Sequence, residues 1–137
     1  MHRLLVAAAV PAACLVLAAT AFAAVIRGDS GPDRLRGTAS GDQMYGLGGA
    51  DRLTGRGGSD VMYGSSGGDR LSGGSGSDTL YGGSGGDRLT GGSGRDRLYG
   101  GSGRDRIFAR DGQPDLISCG SGNDSAQADS IDIVSSC

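Results

Sequence analysis

The chain has 137 residues, 29 of them Gly, no Trp, and a formal net charge of −2. That length allows one domain at most, and glycine far above its average usage of about 7 per cent excludes an ordinary close-packed core. Every acidic residue is Asp and every basic one Arg, with Glu and Lys absent; Asp is the shorter carboxylate, suited to turns and to hard cations.

The first element is residues 1–23. A short basic start (His2, Arg3) leads into an apolar run from Leu4, and Ala21-Phe22-Ala23 ends it with small residues flanking one position. This reads as a secretory signal cleaved after Ala23, which places the remainder outside the cell. The alternative is an uncleaved membrane anchor over residues 4–26, since the apolar run is long enough to approach a bilayer span. A lipid anchor on Cys14 is disfavoured by the Pro11-Ala12-Ala13 that precedes it. Cleavage removes Cys14 and His2, the only His, and leaves Cys119 and Cys137, an even number in an oxidising compartment.

From Gly28 the chain repeats every nine residues. With Gly28 as position one, Asp stands at position six of nine successive repeats: Asp33, Asp42, Asp51, Asp60, Asp69, Asp78, Asp87, Asp96 and Asp105. Position one is Gly throughout these copies, and position eight is Leu, Met or Ile. A longer rhythm overlies the shorter one. Tyr45, Tyr63, Tyr81 and Tyr99 recur eighteen apart at position nine, and Arg34, Arg52, Arg70, Arg88 and Arg106 recur eighteen apart at position seven. Two repeats therefore make one coil of two short strands and two turns. Positions seven to nine form a three-residue strand whose middle side chain points inward, because side chains alternate across a strand. Residues eighteen apart then stack at the strand spacing of about 4.8 Å. One sheet shows an Arg column beside small hydroxyls, the other a Tyr column beside Gln43, Val61, Thr79 and Arg97.

Beyond residue 108 the phase slips. Asp115 follows Asp105 by ten, Asp124 comes nine later and Asp132 eight later, with Ile117, Ala126 and Val134 at the inward position. These read as degenerate repeats that cap the coil. Cys119 and Cys137 are eighteen apart, one coil, so a disulfide between them is within reach and would pin the last turn.

One inward aliphatic residue per nine buries too little to order so much glycine. The turns name the missing stabiliser. Glycines at positions one, two and four let several carbonyls face one turn, and Asp adds a carboxylate. An all-oxygen donor set of this kind suits Ca²⁺ better than Zn²⁺, which takes His or Cys, or Mg²⁺, which demands a tight octahedron.

The stretches "GGSGSDTLY", "GGSGGDRLT", "GGSGRDRLY" and "GGSGRDRIF" resemble the haemolysin-type (RTX) calcium-binding nonapeptide. The resemblance spans about residues 28–135. It implies an all-β parallel β-roll, a solenoid of about six coils over residues 24–137 with capping repeats from about 109, and calcium held between successive turns on each edge. It implies Asp33, Asp51, Asp69, Asp87 and Asp105 as ligands on one edge and Asp42, Asp60, Asp78 and Asp96 on the other, for about seven Ca²⁺. Turn carbonyls around Gly73, Gly74, Gly76, Gly82, Gly83, Gly85, Gly91, Gly92, Gly94, Gly100, Gly101 and Gly103 complete the sites. Position two departs from Gly in the first five repeats, at Asp29, Thr38, Leu47, Arg56 and Ser65.

No enzyme is expected: beyond Ala23 the chain has no His, Glu or Lys, and its serines lack a base. The expectation is a secreted calcium-binding roll that folds on meeting extracellular Ca²⁺. The alternative is a cell-surface structural or interaction module whose Arg or Tyr column binds a partner. Arg52, Arg70, Arg88 and Arg106 either soften repulsion between Asp residues or dock an anionic cell-surface polysaccharide; nucleic acid is not expected.

Overall fold

The computed structural model describes residues 23–137 together with the backbone of Cys14–Val16. The expected signal or anchor otherwise lies outside the described residues, and among those no helix is long and apolar enough to cross a membrane. The strands in chain order are β1 (Cys14–Val16), β2 (Val25–Arg27), β3 (Arg34–Arg36), β4 (Gln43–Tyr45), β5 (Arg52–Arg56), β6 (Val61–Ser66), β7 (Arg70–Ser75), β8 (Thr79–Ser84), β9 (Arg88–Ser93), β10 (Arg97–Ser102), β11 (Arg106–Phe108), β12 (Leu116–Ser121), β13 (Ser125–Gln127) and β14 (Ile133–Ser135). Odd strands form one seven-stranded sheet in the order β1-β3-β5-β7-β9-β11-β13, and even strands form the other. All the pairings are parallel. The chain thus winds as stacked coils of a β-solenoid, the parallel β-roll expected from the eighteen-residue rhythm.

Register follows the period. Leu53 pairs with Leu71 and Leu71 with Leu89 on one sheet, and Met62 pairs with Leu80 and Leu80 with Leu98 on the other. These position-eight side chains fill the space between the sheets; from Ile26 to Ile117 they are at most 2 % exposed. The outer columns also form as expected. The four tyrosines stack with ring centroids 4.9–5.1 Å apart, and the arginines of β3, β5, β7, β9 and β11 stand in one row.

Three details differ from the sequence reading. Central strands run six residues, through position three, because the glycines of positions one and two also join the ladder, as in the pairings of Gly83 with Gly101 and Gly74 with Gly92. Position one is therefore a second inward position, buried like position eight. Val134, expected inward, is 44 % exposed, because its strand β14 lies at the edge of the sheet and is paired on one side, with β12.

The slipped phase is absorbed locally. Arg97 pairs with Leu116 across nineteen residues and Leu116 with Ile133 across seventeen. An extra residue in the turn at 109–115 is thus offset by a missing one in the next turn on that edge. Cys119 and Cys137 are bonded with Cα atoms 4.9 Å apart, inside the usual span for a disulfide. Cys119 stands at position one, where earlier coils on this edge have Gly, so the bridge ties the buried core to the exposed Cys137 one coil on.

Candidate metal centre

The ten aspartates from Asp33 to Asp115 at the strand entries are each at most 3 % exposed. Their burial follows from the turn. A Cβ added to Gly73 would run into Asp78 Oδ2 and the carbonyl oxygen of Gly91, so glycine at position one of this turn leaves room for the carboxylate to fold inward. Each carboxylate is then held from one side. Oδ1 of Asp60 accepts the N–H of Asp42 at 2.7 Å, and Oδ1 of Asp78, Asp87 and Asp96 accepts the N–H of the Asp one coil earlier at 2.8 Å. This Asp-to-backbone ladder runs up both edges.

The second oxygen has no such partner. Oδ2 of Asp51, Asp60, Asp69, Asp78, Asp87, Asp96, Asp105, Asp115 and Asp124 is buried without a hydrogen bond. Leaving one buried acceptor unmade is costly, and leaving half of a carboxylate so is more costly still. Burial pushes Asp60 and Asp87 up to about 7, and Asp51, Asp78, Asp96 and Asp115 up to about 6; neighbouring aspartates add to this in all but Asp78, and the backbone N–H only partly opposes it. Burial likewise raises Asp69 and Asp105.

Backbone carbonyls point to the same places. Asp51, Asp60, Asp69, Asp78, Asp87 and Asp105 each have, beside the unpaired Oδ2, the carbonyl oxygen of Gly64, Gly73, Gly82, Gly91, Gly100 or Cys119 from the next coil. Among the described residues no three carboxylate or thiol groups converge on one point. A cation here would therefore be held by carboxylate and main-chain oxygen together, and that hard, all-oxygen set fits Ca²⁺.

A family comparison decides the identity of the repeat. The RTX calcium-binding nonapeptide repeat matches four times, over residues 27–62, 63–97, 81–116 and 90–126. The chain belongs to this RTX family. No curated protein and no solved structure matches the chain in the corresponding searches.

Within this RTX roll the turns fall into two classes. Eight turns, at residues 46–51, 55–60, 64–69, 73–78, 82–87, 91–96, 100–105 and 119–124, are left-handed at both positions two and four. Leu47, Arg56 and Ser65 hold φ of 77°, 85° and 79° although they are not glycine, so the departures at position two leave the turn shape intact. Four turns near the ends lack this pair and close themselves with side chains instead. In 28–33 the Asp29 N–H donates to Asp33 Oδ2 at 2.7 Å. In 37–42 the Thr38 N–H donates to Asp42 Oδ2 at 2.6 Å, and the Thr38 hydroxyl faces both oxygens at 3.1 Å. At the far end Asp111 Oδ2 accepts the Gly94 N–H, and Asp129 Oδ2 accepts those of Asp111 and Gly112. Asp132 takes the N–H of Asp115 on Oδ1 and that of Asp129 on Oδ2.

The sequence-predicted ligands thus divide. Asp51 to Asp105 have an open Oδ2, whereas on Asp33 and Asp42 that oxygen is already bonded; on Asp33 it is Oδ1 that is buried without a hydrogen bond. Asp96 has the open oxygen, but the atoms nearest its Gly91 cradle are all its own, because the next turn is the lengthened one. Thr38, Asp111 and Asp129 were not singled out from sequence. The signal was present: Thr38 breaks position two, and the two aspartates fall outside the ninefold ladder.

Proposed function

We propose that the chain is a secreted, non-enzymatic calcium-binding roll that is unfolded until it meets extracellular Ca²⁺. The row of buried, unpaired Oδ2 atoms carries this reading. In the metal-free roll these oxygens carry an uncompensated desolvation cost, and bound Ca²⁺ supplies the positive charge that removes it. The chain's part is to bury and aim the carboxylates, with Oδ1 fixed on the backbone ladder and Oδ2 turned toward a carbonyl of the next coil. Because the cation binds only the folded form, its binding energy adds directly to folding stability. Six carboxylates combine both features, so six ions are expected where the sequence suggested about seven. Affinities on the order of 10⁻⁴–10⁻³ M suit an extracellular switch. Far-ultraviolet circular dichroism of the full chain during a Ca²⁺ titration tests this. A cooperative gain of β signal with Ca²⁺ and none with Mg²⁺ is expected; a chain already folded in chelator refutes it.

A second reading, a surface module that docks an anionic cell-surface polysaccharide, is favoured by the Arg column. Two troughs of about 360 and 290 Å³ share Arg52 and Thr54 and run along Arg34, Arg52, Arg70 and Arg88 beside Ser72 and Thr90. Like charges stacked directly across a ladder are destabilising unless something neutralises them, and a linear polyanion lying along the roll would meet one guanidinium per coil. At Ca²⁺ that folds the chain, retention on immobilised polygalacturonate is expected to fall with salt. It should drop severalfold when Arg52, Arg70 and Arg88 are changed to Gln. Equal retention of wild type and variant removes this reading.

A further inference from the structure

At the N-terminal end of the ladder, Asp42 has both carboxylate oxygens bonded, and its Oδ1 accepts a hydrogen bond from Ala24. The Ala24 N–H donates to Asp42 Oδ1 at 2.7 Å. Ala24 stands nine residues before Asp33, at the place of an Asp in the ladder, and makes the bond that Asp33 makes to Asp51 one half-coil on. It is buried, at 2 % exposure, whereas Ala23 is exposed. Among the described residues, the segment paired before it is out of phase: Cys14 meets Arg34 across twenty residues, not eighteen.

We propose that cleavage after Ala23 converts this backbone N–H into the α-ammonium of the mature chain, and that this cation pairs with Asp42 in place of a metal ion. The inference rests on the secretory reading above. Hydrolysis of the peptide bond between Ala23 and Ala24 leaves the carboxylate on the departing segment and a protonated amine on Ala24. That amine sits within hydrogen-bond distance of a carboxylate whose other oxygen is held by the Thr38 N–H and hydroxyl. An ammonium donating to a carboxylate makes a charge-assisted bond, stronger than the amide N–H it replaces. The N-terminal edge of the roll is then closed by the product of its own processing, and calcium binding on that edge begins at Asp60.

The chain's lack of Lys makes the test direct, because the α-amine is the sole primary amine after cleavage. The full chain is exported from a secreting host, and the N-terminus of the product is sequenced. Its acylation by an N-hydroxysuccinimide ester is then followed in saturating Ca²⁺ and in denaturant. Ala24 as first residue is expected, with acylation slowed about tenfold or more in the folded roll, a factor that corresponds to about 1.4 kcal/mol of pairing. Asp42→Asn is expected to restore fast acylation while circular dichroism shows the same Ca²⁺-dependent folding. If Asp42→Asn does not fold, a Gly inserted between Ala23 and Ala24 moves the amine off Asp42 and gives the same readout. A first residue other than Ala24 overturns the proposal and leaves the calcium reading standing. Slow acylation in folded Asp42→Asn or in the Gly insertion also overturns it. Loss of Ca²⁺-dependent folding in the wild type sinks the calcium reading instead.

Discussion

In chelator, acidification alone is expected to fold the chain, with β signal rising as pH falls from about 7.5 to 5. In the roll, burial raises Asp60 and Asp87 to about 7 and Asp51, Asp78, Asp96 and Asp115 to about 6, from an ordinary 3.8. Between those values the folded state binds more protons than the unfolded state, so stability falls as pH rises. The contribution is fully present below pH 3.8 and is lost as pH climbs through 6 to 7. A proton on Oδ2 does there what a calcium ion does at neutral pH: it removes the buried charge. Calcium must displace that proton, so its apparent affinity is expected to weaken below about pH 6. Near pH 4 and below, the neutralised aspartates leave the arginines unopposed, and their repulsion bounds the window on the acid side. Circular dichroism in chelator from pH 8 to 4 reads the effect. More β structure at pH 8 than at pH 5 would contradict the assignment of the Oδ2 atoms as the source of instability.

The roll was legible in the sequence because each coil repeats its neighbour. Asp at every ninth residue and Tyr at every eighteenth determine the two sheets, their register and the inward position eight, and nothing distant in sequence is needed to place them. The ladder itself followed from the same phase. What remained hidden depends on single peptide orientations. Asp33 and Asp87 occupy the same repeat position, yet the Asp29 N–H turns toward Oδ2 of the first, while left-handed Gly83 begins a turn that leaves Oδ2 of the second unpaired. Glycine content did not separate these cases, since Leu47, Arg56 and Ser65 adopt the left-handed turn and Thr38 does not. The inward role of position one was also missed. A glycine shows no side chain whose direction could be read, and the meaning of the position surfaces only where Ala109 and Cys119 replace glycine and are buried in the core.

Position one is also where a single methyl group should do most damage. Gly73→Ala places a Cβ against Asp78 Oδ2 and within 2.6 Å of the Gly91 carbonyl, the two oxygens that would share an ion. Neither is the far end of a flexible side chain. Asp78 is tied to the Asp60 N–H through Oδ1, and Gly91 lies within β9. The methyl group therefore either expels the carboxylate from its pocket or spreads two coils. Overpacking of this kind costs about 1–3 kcal/mol before the lost ion is counted. In a cooperative stack, that loss appears as a shift in the calcium concentration needed to fold the whole roll, expected to be about tenfold or more. Gly57→Ala is the matched control. Its Cβ would meet only ordinary contacts, the nearest at 3.4 Å from the Ala39 carbonyl, and its φ is not left-handed. Other coils carry Ser at the same position, and the folding midpoint of this variant is expected to stay within about twofold of wild type. Equal midpoints for the two variants would mean that the pocket beside Gly73 does not hold the oxygens that bind calcium. A tenfold gap would place the cation beside position one, in the pocket that glycine leaves between the Asp78 carboxylate and the Gly91 carbonyl.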